Sequence, residues 1–183
     1  MDWYSIVKFL HVSSAILWLG GGFVLILIGA RAVRSGDTQT LVVNLRNTAS
    51  LGTILFMPAS LATLVTGLLI AILWVGFSDL WIMIGLAGAA ATFITGVAFV
   101  KPVGDRLSAM VAEDGVTPAV LEEGSKLLRI AKFDYTVMVV IIADMVLKPT
   151  VSDPAILGAM GALIVAGALL FLVPRRETPP IAA

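Results

Sequence analysis

The sequence predicts an all-α fold, a polytopic membrane helix bundle with five transmembrane helices (four if the least apolar candidate does not cross) and a short cytoplasmic amphipathic helix. Of the 183 residues, 59% are hydrophobic and only 13% are charged, whereas soluble domains average ~45–50% and ~25%. Several stretches also carry no formal charge over about 20 residues, the length of helix that crosses a hydrocarbon core. We therefore expect residues 1–183 to form a single integral membrane domain.

Four stretches predict spans directly. The first includes Trp3 to Ala30, the second is Leu51 to Ser78, the third is Leu80 to Val100, and the fifth is Ala155 to Val173. Asp153 and Pro154 before the last stretch are typical of an N-cap and the first helical position. Because no basic segment with a cleavage site precedes the first stretch, we expect a retained anchor and not a signal peptide.

The fourth span is predicted at Phe133 to Leu147, although this segment is short and contains Asp134 and Asp144. A soluble core helix is the alternative. We prefer a span because the run from Val137 to Ile142 is hydrophobic all round. Five spans also collect most cations on one side, which by the positive-inside rule places the N-terminus outside and the C-terminus in the cytoplasm of a bacterial inner membrane. These cations are Arg31, Arg34, Arg46, Lys101, Arg106, Lys126, Arg129, Lys132, Arg175 and Arg176.

Residues 101–131 are expected to be a cytoplasmic loop that contains the amphipathic helix. Thr117 and Pro118 are typical of its N-cap and first position, and Glu122 and Lys126 of an i,i+4 ion pair on its polar face. Its apolar face predicts an interfacial helix on the inner leaflet, and docking of a partner is the alternative. Residues 174–183 are expected to be a disordered tail.

Small residues four apart predict where the helices pack, because lipid-embedded helices associate through close backbone approach. Pro58 is expected to bend the second span. The stripes are Ala59, Thr63 and Gly67 in the second span, Gly88, Thr92 and Gly96 in the third, and Gly158, Ala162 and Ala166 in the fifth; Gly20 to Gly22 lie in the first.

Ionisable residues inside the membrane are the candidate functional residues, because they are costly to bury there. Lys8 and His11 share one face of the first span, and the helical rise places Lys8 level with Asp144 of the fourth. We therefore expect an interhelical ion pair between Lys8 and Asp144. In the alternative, Lys8 and Lys148 extend to the interface and Asp144 pairs with Lys148.

His11 is the one histidine of the chain and allows three interpretations. It can bond to a neighbouring helix, ligate a metal or haem iron, or carry a proton. A single proximal histidine suffices for haem, and Trp18 on the same face could pack against a flat apolar ligand. His11 and Trp18 are therefore the candidate cofactor-binding residues, with haem b as the cofactor.

Composition excludes several classes of function. Without cysteine the chain has no disulfides, thiol catalysis or cysteine-held iron–sulfur clusters. Twelve basic and twelve acidic residues cancel, so no basic field predicts nucleic-acid binding. The expected partners are the lipid bilayer and, in a homo-oligomer, further copies of the chain.

The chain resembles domain of unknown function 2269, a family of predicted bacterial integral membrane proteins. The resemblance rests on His11 with Trp18 to Gly22, on Pro58 with Thr66 and Gly67, and on Asp144 to Pro149. This family implies no established activity.

The first helix is also similar to those of HemJ-type protoporphyrinogen oxidases and of the copper resistance D membrane domain. The resemblance to the oxidases implies that His11 holds haem b. The segment Trp81 to Gly85 lacks the lysine of the oxidase motif, and this absence argues against oxidase activity.

Three functions follow from these observations. The first is an inner-membrane protein that binds haem b or a metal through His11. The second is a non-enzymatic structural or accessory subunit, and the third is a transporter of a small solute. No pair of matching broken helices favours transport.

Overall fold

The computed structural model describes residues 2–35 and 37–173, and in this part of the chain all regular structure is helical. The α-helices are α1 (Trp3–Ser35), α2 (Thr38–Leu51), α3 (Met57–Ile70), α4 (Leu80–Thr95), α5 (Lys101–Asp114), α6 (Pro118–Leu147) and α7 (Pro154–Phe171). Three π-helical turns directly follow α2, α3 and α4, and they lie at Gly52–Phe56, Ala71–Val75 and Gly96–Val100 respectively. The predicted all-α membrane bundle is confirmed.

These elements join into five long helical rods. The π turns make α2 and α3 one rod over Thr38–Val75, and α4 and α5 another over Leu80–Asp114. Both rods, together with Trp3–Ala32 and α7, are long and apolar enough to cross a membrane. The fifth rod, α6, has 30 residues, and its apolar half is interrupted by Lys132, Asp134 and Asp144, which makes it the least apolar of the five.

Four rods surround a common axis, and the fifth lies outside them. Helix α1 packs against α3, α3 against α4, α4 against α6, and α6 against α1, which closes a ring. Helix α7 packs against α6 alone among the larger contacts. The space on the axis is therefore lined by α1, α3, α4 and α6.

The two ends of the bundle differ in charge. We call the end with the start of α1, the turn at 76–79 and the segment 148–153 the N-terminal end. The other end carries the start of α2, helix α5 and the start of α6, and we call it the basic end because most cations of the described residues lie there. The predicted orientation in the membrane depends on this separation of cations between the two ends.

The predicted loop at 101–131 is largely helical, which differs from the expectation. Only Gly115 to Thr117 separate α5 from α6. Thr117 is confirmed as the N-cap that accepts from the Val120 N–H, and Lys126 Nζ lies 3.0 Å from Glu122 Oε1 as expected. The amphipathic helix, however, is the first part of α6 and continues into the segment predicted as the fourth span.

The apolar face of that segment is covered by protein. Leu107 of α5 packs with Val120 and Leu127 of α6 into a buried cluster, in which Leu107 is completely inaccessible. The prediction that these residues form an interfacial helix is therefore wrong, because their apolar face is covered by α5 and not by the inner leaflet. The sequence did not indicate α5, whose polar residues are typical of a loop.

The two prolines in the interior of the rods, Pro58 and Pro102, each follow a π-helical turn. Gly52–Phe56 ends two residues before Pro58, and Gly96–Val100 ends two residues before Pro102. Proline has no N–H and obstructs the preceding turn, and a π turn is a common local adjustment of the helical ladder. The expected irregularity at Pro58 is thus present as a π turn.

The small-residue stripe of the second span is confirmed as a packing face, and that of the third is confirmed at Gly88 and Thr92 but not at Gly96, which has open space beside it. Ala59 and Thr63 are buried against α1, and Gly88 meets Ile141 of α6. The stripe of the fifth span is wrong: Gly158, Ala162 and Ala166 are exposed. Helix α7 instead packs through Met160 and Gly167, the latter against Thr136. The predicted tail at 174–183 lies outside the described residues.

Candidate functional site

A cavity of about 450 Å³ lies between α1, α3, α4 and α6 in the N-terminal half of the bundle. We call it the His11 cavity. Most of its wall is apolar, and its polar lining includes Lys8, His11, Thr63, Tyr4 and Lys148. Both predicted cofactor-binding residues, His11 and Trp18, line this cavity.

The imidazole of His11 is held by the neighbouring helix. Its Nδ1 lies 2.9 Å from the carbonyl oxygen of Thr63 and 3.3 Å from Thr66 Oγ1. A carbonyl can only accept, so Nδ1 carries the proton and donates it. In the neutral ring this leaves Nε2 with a free lone pair, and no hydrogen bond of the described residues uses it.

Hydroxyl groups support this arrangement from α1 and α3. The Ser14 hydroxyl donates to the His11 carbonyl at 3.0 Å, and the Thr63 hydroxyl lies 3.0 Å from Ser14 Oγ. Gly67 lies against the ring itself, because a Cβ at this position would be 2.9 Å from His11 Cε1. The sequence indicated Thr63 and Gly67 only as packing residues, and their contact with His11 depends on how α1 and α3 are paired.

Two lysines lie on aromatic rings at the N-terminal end of the cavity. Lys8 Nζ is 5.6 Å from the centre of the Tyr4 ring, and Lys148 Nζ is 4.9 Å from the centre of the Trp81 ring. Both distances are within the range of cation–π contact. The rim of the cavity is therefore positively charged, and neither ammonium group forms an ion pair with a carboxylate of the described residues.

The structure does not join Lys8 and Asp144. Asp144 is completely buried, and neither of its carboxylate oxygens has a hydrogen-bond partner among the described residues. Its Oδ2 would lie 3.3 Å from a Cβ at Gly85. Lys148 is also not paired with it, since the ion pairs of the described residues are confined to α5 and α6 at the basic end. Asp144 does not line the His11 cavity, whereas Gly85 and Met145 beside it do.

A second cavity, of about 190 Å³, lies in the half of the bundle nearer the basic end. We call it the Asn44 cavity, because Asn44 of α2 lines it together with Asp134 of α6. Trp18 and Met138 line both cavities and so lie between them. No local sequence pattern indicates a role for Asn44, which becomes buried because α2 packs on α1.

The residues do not form a metal site of their own. Among the described residues, no group of three or more His, Cys, Asp or Glu side chains could hold a metal ion. Met138 and Met145 line the His11 cavity, whereas Met83 is half exposed. One imidazole at an apolar cavity fits a cofactor that brings most of its own ligands, as the haem macrocycle does.

Residues 5–149 match the model of a family described as "Predicted integral membrane protein (DUF2269)". The chain belongs to this family. The match includes the ring of α1, α3, α4 and α6 and both cavities, and it ends before α7, the helix outside the ring. No curated protein and no solved structure matches the chain. Membership in the family thus confirms an integral membrane protein and assigns it no activity.

Proposed function

We propose that this membrane protein binds haem b in the His11 cavity, with His11 Nε2 as the iron ligand. The observation that carries the proposal is the hydrogen bond of 2.9 Å between His11 Nδ1 and the Thr63 carbonyl. A metal-ligating histidine almost always donates its other ring N–H to a carbonyl, carboxylate or water, which fixes the tautomer and raises the basicity of the ligating nitrogen. His11 has this arrangement on the wall of a cavity.

The cavity has the volume and the mostly apolar wall of a small-molecule or cofactor site, which supports the proposal. Its volume of about 450 Å³ is within the range of ~300–1,000 Å³ that small-molecule and cofactor sites occupy. Its wall is mostly apolar and includes Trp18 and Trp81, which suit a flat aromatic ring. Lys8 and Lys148 on the rim would meet the two carboxylates of the cofactor.

The residues of the chain would hold and shield the group. His11 would bind the iron, Thr63 would orient His11, and Trp18 would close the cavity toward the basic end. Bound haem b supplies one-electron redox chemistry, whose potential is set by the axial ligand and the polarity of its surroundings.

The test is an absorption spectrum of the detergent-purified protein, with hemin added where the preparation is colourless. We expect a Soret band in the parent and in Ser13→Ala, whose residue lies on α1 but does not line either cavity. His11→Ala should lose the band while circular dichroism still reports a helical bundle. His11→Gln should not restore it, because an amide is a poor iron ligand. A folded parent that binds no hemin, or a glutamine variant with the parental band, would refute the proposal.

The second candidate function is a structural or accessory subunit in which His11 only connects α1 to α3. The same hydrogen bond favours it, because polar side chains often join helices in membranes. It predicts that His11→Gln keeps the stability of the parent and that no preparation binds hemin. The spectrum and the glutamine variant therefore distinguish the two candidates.

We further propose the orientation given by the positive-inside rule, in a bacterial inner membrane with the basic end in the cytoplasm. The charge difference between the two ends of the bundle supports it. Reporter fusions at Gly115 and at Ala183 should both report the cytoplasm. A periplasmic signal at either position would contradict the five-span orientation.

A further inference from the structure

We infer that the His11 cavity takes a lipophilic carboxylate from the surrounding bilayer, through a lateral opening between α1 and α6. Such a ligand combines an apolar body with an anionic head group, and haem b is one member of this class. This route goes beyond the proposed function, because it does not require that His11 binds iron.

The cavity reaches the outside of the bundle at two of the four helices around it. The wall residues that come from the rods of α3 and α4 are all buried or half-buried. On α1 and α6, in contrast, several wall residues are exposed, and the exposed fractions of Ile16 and Val146 are 65% and 72%. A side chain that lines the cavity and is also exposed connects the cavity with the outer surface. The lateral opening consists of the exposed wall residues of the described chain, which are Lys8, Val12, Ile16, Ile142, Val146 and Lys148.

The opening extends along the apolar flank of the bundle. Lys8, Val12 and Ile16 follow one another at intervals of four and so share one face of α1, and Ile142 and Val146 do the same on α6. At the rise of an α-helix, Ile16 lies about 12 Å farther along α1 than Lys8. The opening therefore runs from the N-terminal end into the apolar part of the helices, beside the hydrocarbon of the bilayer.

Toward the basic end, α1 and α6 are in direct contact. The Tyr135 ring stacks on the Phe23 ring with 5.4 Å between the ring centres, and the Tyr135 hydroxyl donates to the Leu19 carbonyl at 3.3 Å. The opening therefore lies on the N-terminal side of a closed contact between the two helices. A ligand that enters here comes from the leaflet that surrounds the N-terminal end.

The charge at the opening favours an anion. Lys8 and Lys148 line the cavity, whereas no aspartate or glutamate of the described residues does. Lys8 lies on the α1 edge and Lys148 at the end of α6, and neither forms an ion pair within the described part of the chain. A carboxylate at the opening would therefore meet an ammonium group on either helix, and such charge-assisted hydrogen bonds are strong.

The backbone of Lys148 supports a role for its ammonium group. This residue ends α6 in the left-handed conformation, with a φ of 48°, and among the described residues no other residue except glycine has a positive φ. Glycine is the usual residue at such a helix end, because a side chain is strained there. The side chain of Lys148 instead places Nζ 4.9 Å from the centre of the Trp81 ring, another part of the cavity wall. Backbone geometry thus does not explain the lysine at this position, whereas contact with an anionic ligand does.

The ligand also needs an apolar body. Most of the cavity wall is apolar, and so are the two edges of the opening between Lys8 and Lys148. A carboxylate with an apolar body dissolves in the bilayer, so it reaches the opening by diffusion within the leaflet. Inside the cavity, its body packs against the apolar wall through van der Waals contacts.

The test is a binding assay with radiolabelled palmitate on the full chain, purified in a nonionic detergent and kept in mildly alkaline buffer, in which palmitate is ionised. Palmitamide has the same apolar chain and a neutral head group, and empty micelles give the background. We expect saturable binding of palmitate, and binding of palmitamide that is at least about tenfold weaker, since charge-assisted hydrogen bonds are the stronger ones. A folded parent that binds no palmitate, or that binds both compounds equally, would overturn the inference.

Variants at the opening test the route. Ile16→Trp and Val146→Trp should each weaken palmitate binding by at least about tenfold, because an indole at either edge would take up space that the ligand needs. Leu17→Trp and Val139→Trp are the matched controls, since both positions are exposed on the same helices and line neither cavity. Both controls should bind palmitate like the parent. Parental affinity in folded Ile16→Trp or Val146→Trp protein would contradict a route between α1 and α6.

Replacement of both lysines tests the head group. The double variant Lys8→Met, Lys148→Met should bind palmitate only about as well as palmitamide, whose own binding should not change. A preference for palmitate that persists in the double variant would contradict the assignment of these cations.

These measurements can be separated from the test of haem binding, because they use protein without haem. Where the parent is purified with haem, His11→Ala takes its place. A protein that binds palmitate but not hemin would refute the haem proposal alone. A protein that binds hemin but, once free of it, no palmitate would refute the present inference alone.

Discussion

The imidazole of His11 packs so closely against Gly67 that a Cβ at position 67 would lie 2.9 Å from Cε1 and 3.3 Å from Nδ1. The ring can take this position, with its hydrogen bond to the Thr63 carbonyl one helical turn away on α3, because position 67 has no side chain. Glycine at position 67 allows α1 and α3 to approach each other closely, as small residues commonly do in membrane helices.

Gly67→Ala should displace the His11 ring and weaken its bond to Thr63. We expect a loss of about 1–3 kcal/mol in the free energy of unfolding, as for other insertions into a packed contact. Thermal unfolding in detergent measures it. Gly20→Ala is the matched control, since nothing lies within 4 Å of a Cβ at position 20. Equal stability of the two variants would show that the ring does not need this space.

Lys8 and Asp144 should behave independently in a double-mutant cycle. In the structure Lys8 lies on Tyr4, while Asp144 has no hydrogen-bond or ion-pair partner among the described residues, so the coupling energy between Lys8→Met and Asp144→Asn should be below about 0.5 kcal/mol. Asp144→Asn alone should be at least as stable as the parent, because burying a charge without a partner is costly. If the double variant instead recovers stability lost in the single variants, the two residues form the ion pair that the sequence predicts.

Gly88→Ala should be more destabilising than Gly158→Ala. A Cβ at position 88 would lie 2.7 Å from Ile141 Cγ1, close to the backbone of α6, where the side chain cannot give way. We expect a loss of about 1–3 kcal/mol. At position 158 nothing lies within 4 Å, and alanine should stabilise α7 by up to about 1 kcal/mol. Chemical unfolding in mixed micelles gives both values, and a reversed order would contradict the packing of α4 on α6.

Acid should loosen the start of α7 through Asp153. This carboxylate accepts hydrogen bonds from the Thr150 N–H and hydroxyl at 2.9 and 2.8 Å, and they hold its pKa below the ordinary value. A lowered pKa in the folded state means that the stabilisation is present above the unfolded-state pKa and is lost as the pH falls through the folded-state pKa. The protection factors of the 150–157 amides, which correct the exchange rates for the intrinsic chemical rate, should therefore fall in acid.

Asp153→Asn is the control for this effect. It removes the ionisable group, so exchange at 150–157 should lose its dependence on acid beyond the intrinsic chemical rate. An acid-dependent acceleration that is the same in parent and variant would assign the effect to another residue.

Part of the candidate site was predictable from the sequence, and part was not. His11, Trp18 and Lys8 stand out because an ionisable or aromatic residue on an apolar helix is conspicuous wherever the helix packs. Asn44, Thr63 and Gly67 do not stand out, since a polar residue near a helix start and small residues at intervals of four are common. Their roles follow from the pairing of α1 with α2 and α3, which no local pattern specifies.

The sequence by itself determined that the chain is a membrane bundle, because hydrophobic length and the burial cost of charge act on each helix separately. It also determined the N-cap at Thr117 and the start of α7 at Pro154, which depend on neighbouring residues, whereas the Asp153 side chain binds Thr150 and does not cap the helix. Only the tertiary structure decided that α7 lies outside the ring, that α5 covers the apolar face at the start of α6, and that Asp144 is buried without a partner in the part of the chain that the structure describes. Each of these features depends on which helices are neighbours. In lipid, shape and close packing decide which helices associate. Apolar side chains of similar hydrophobicity contribute very differently to that packing.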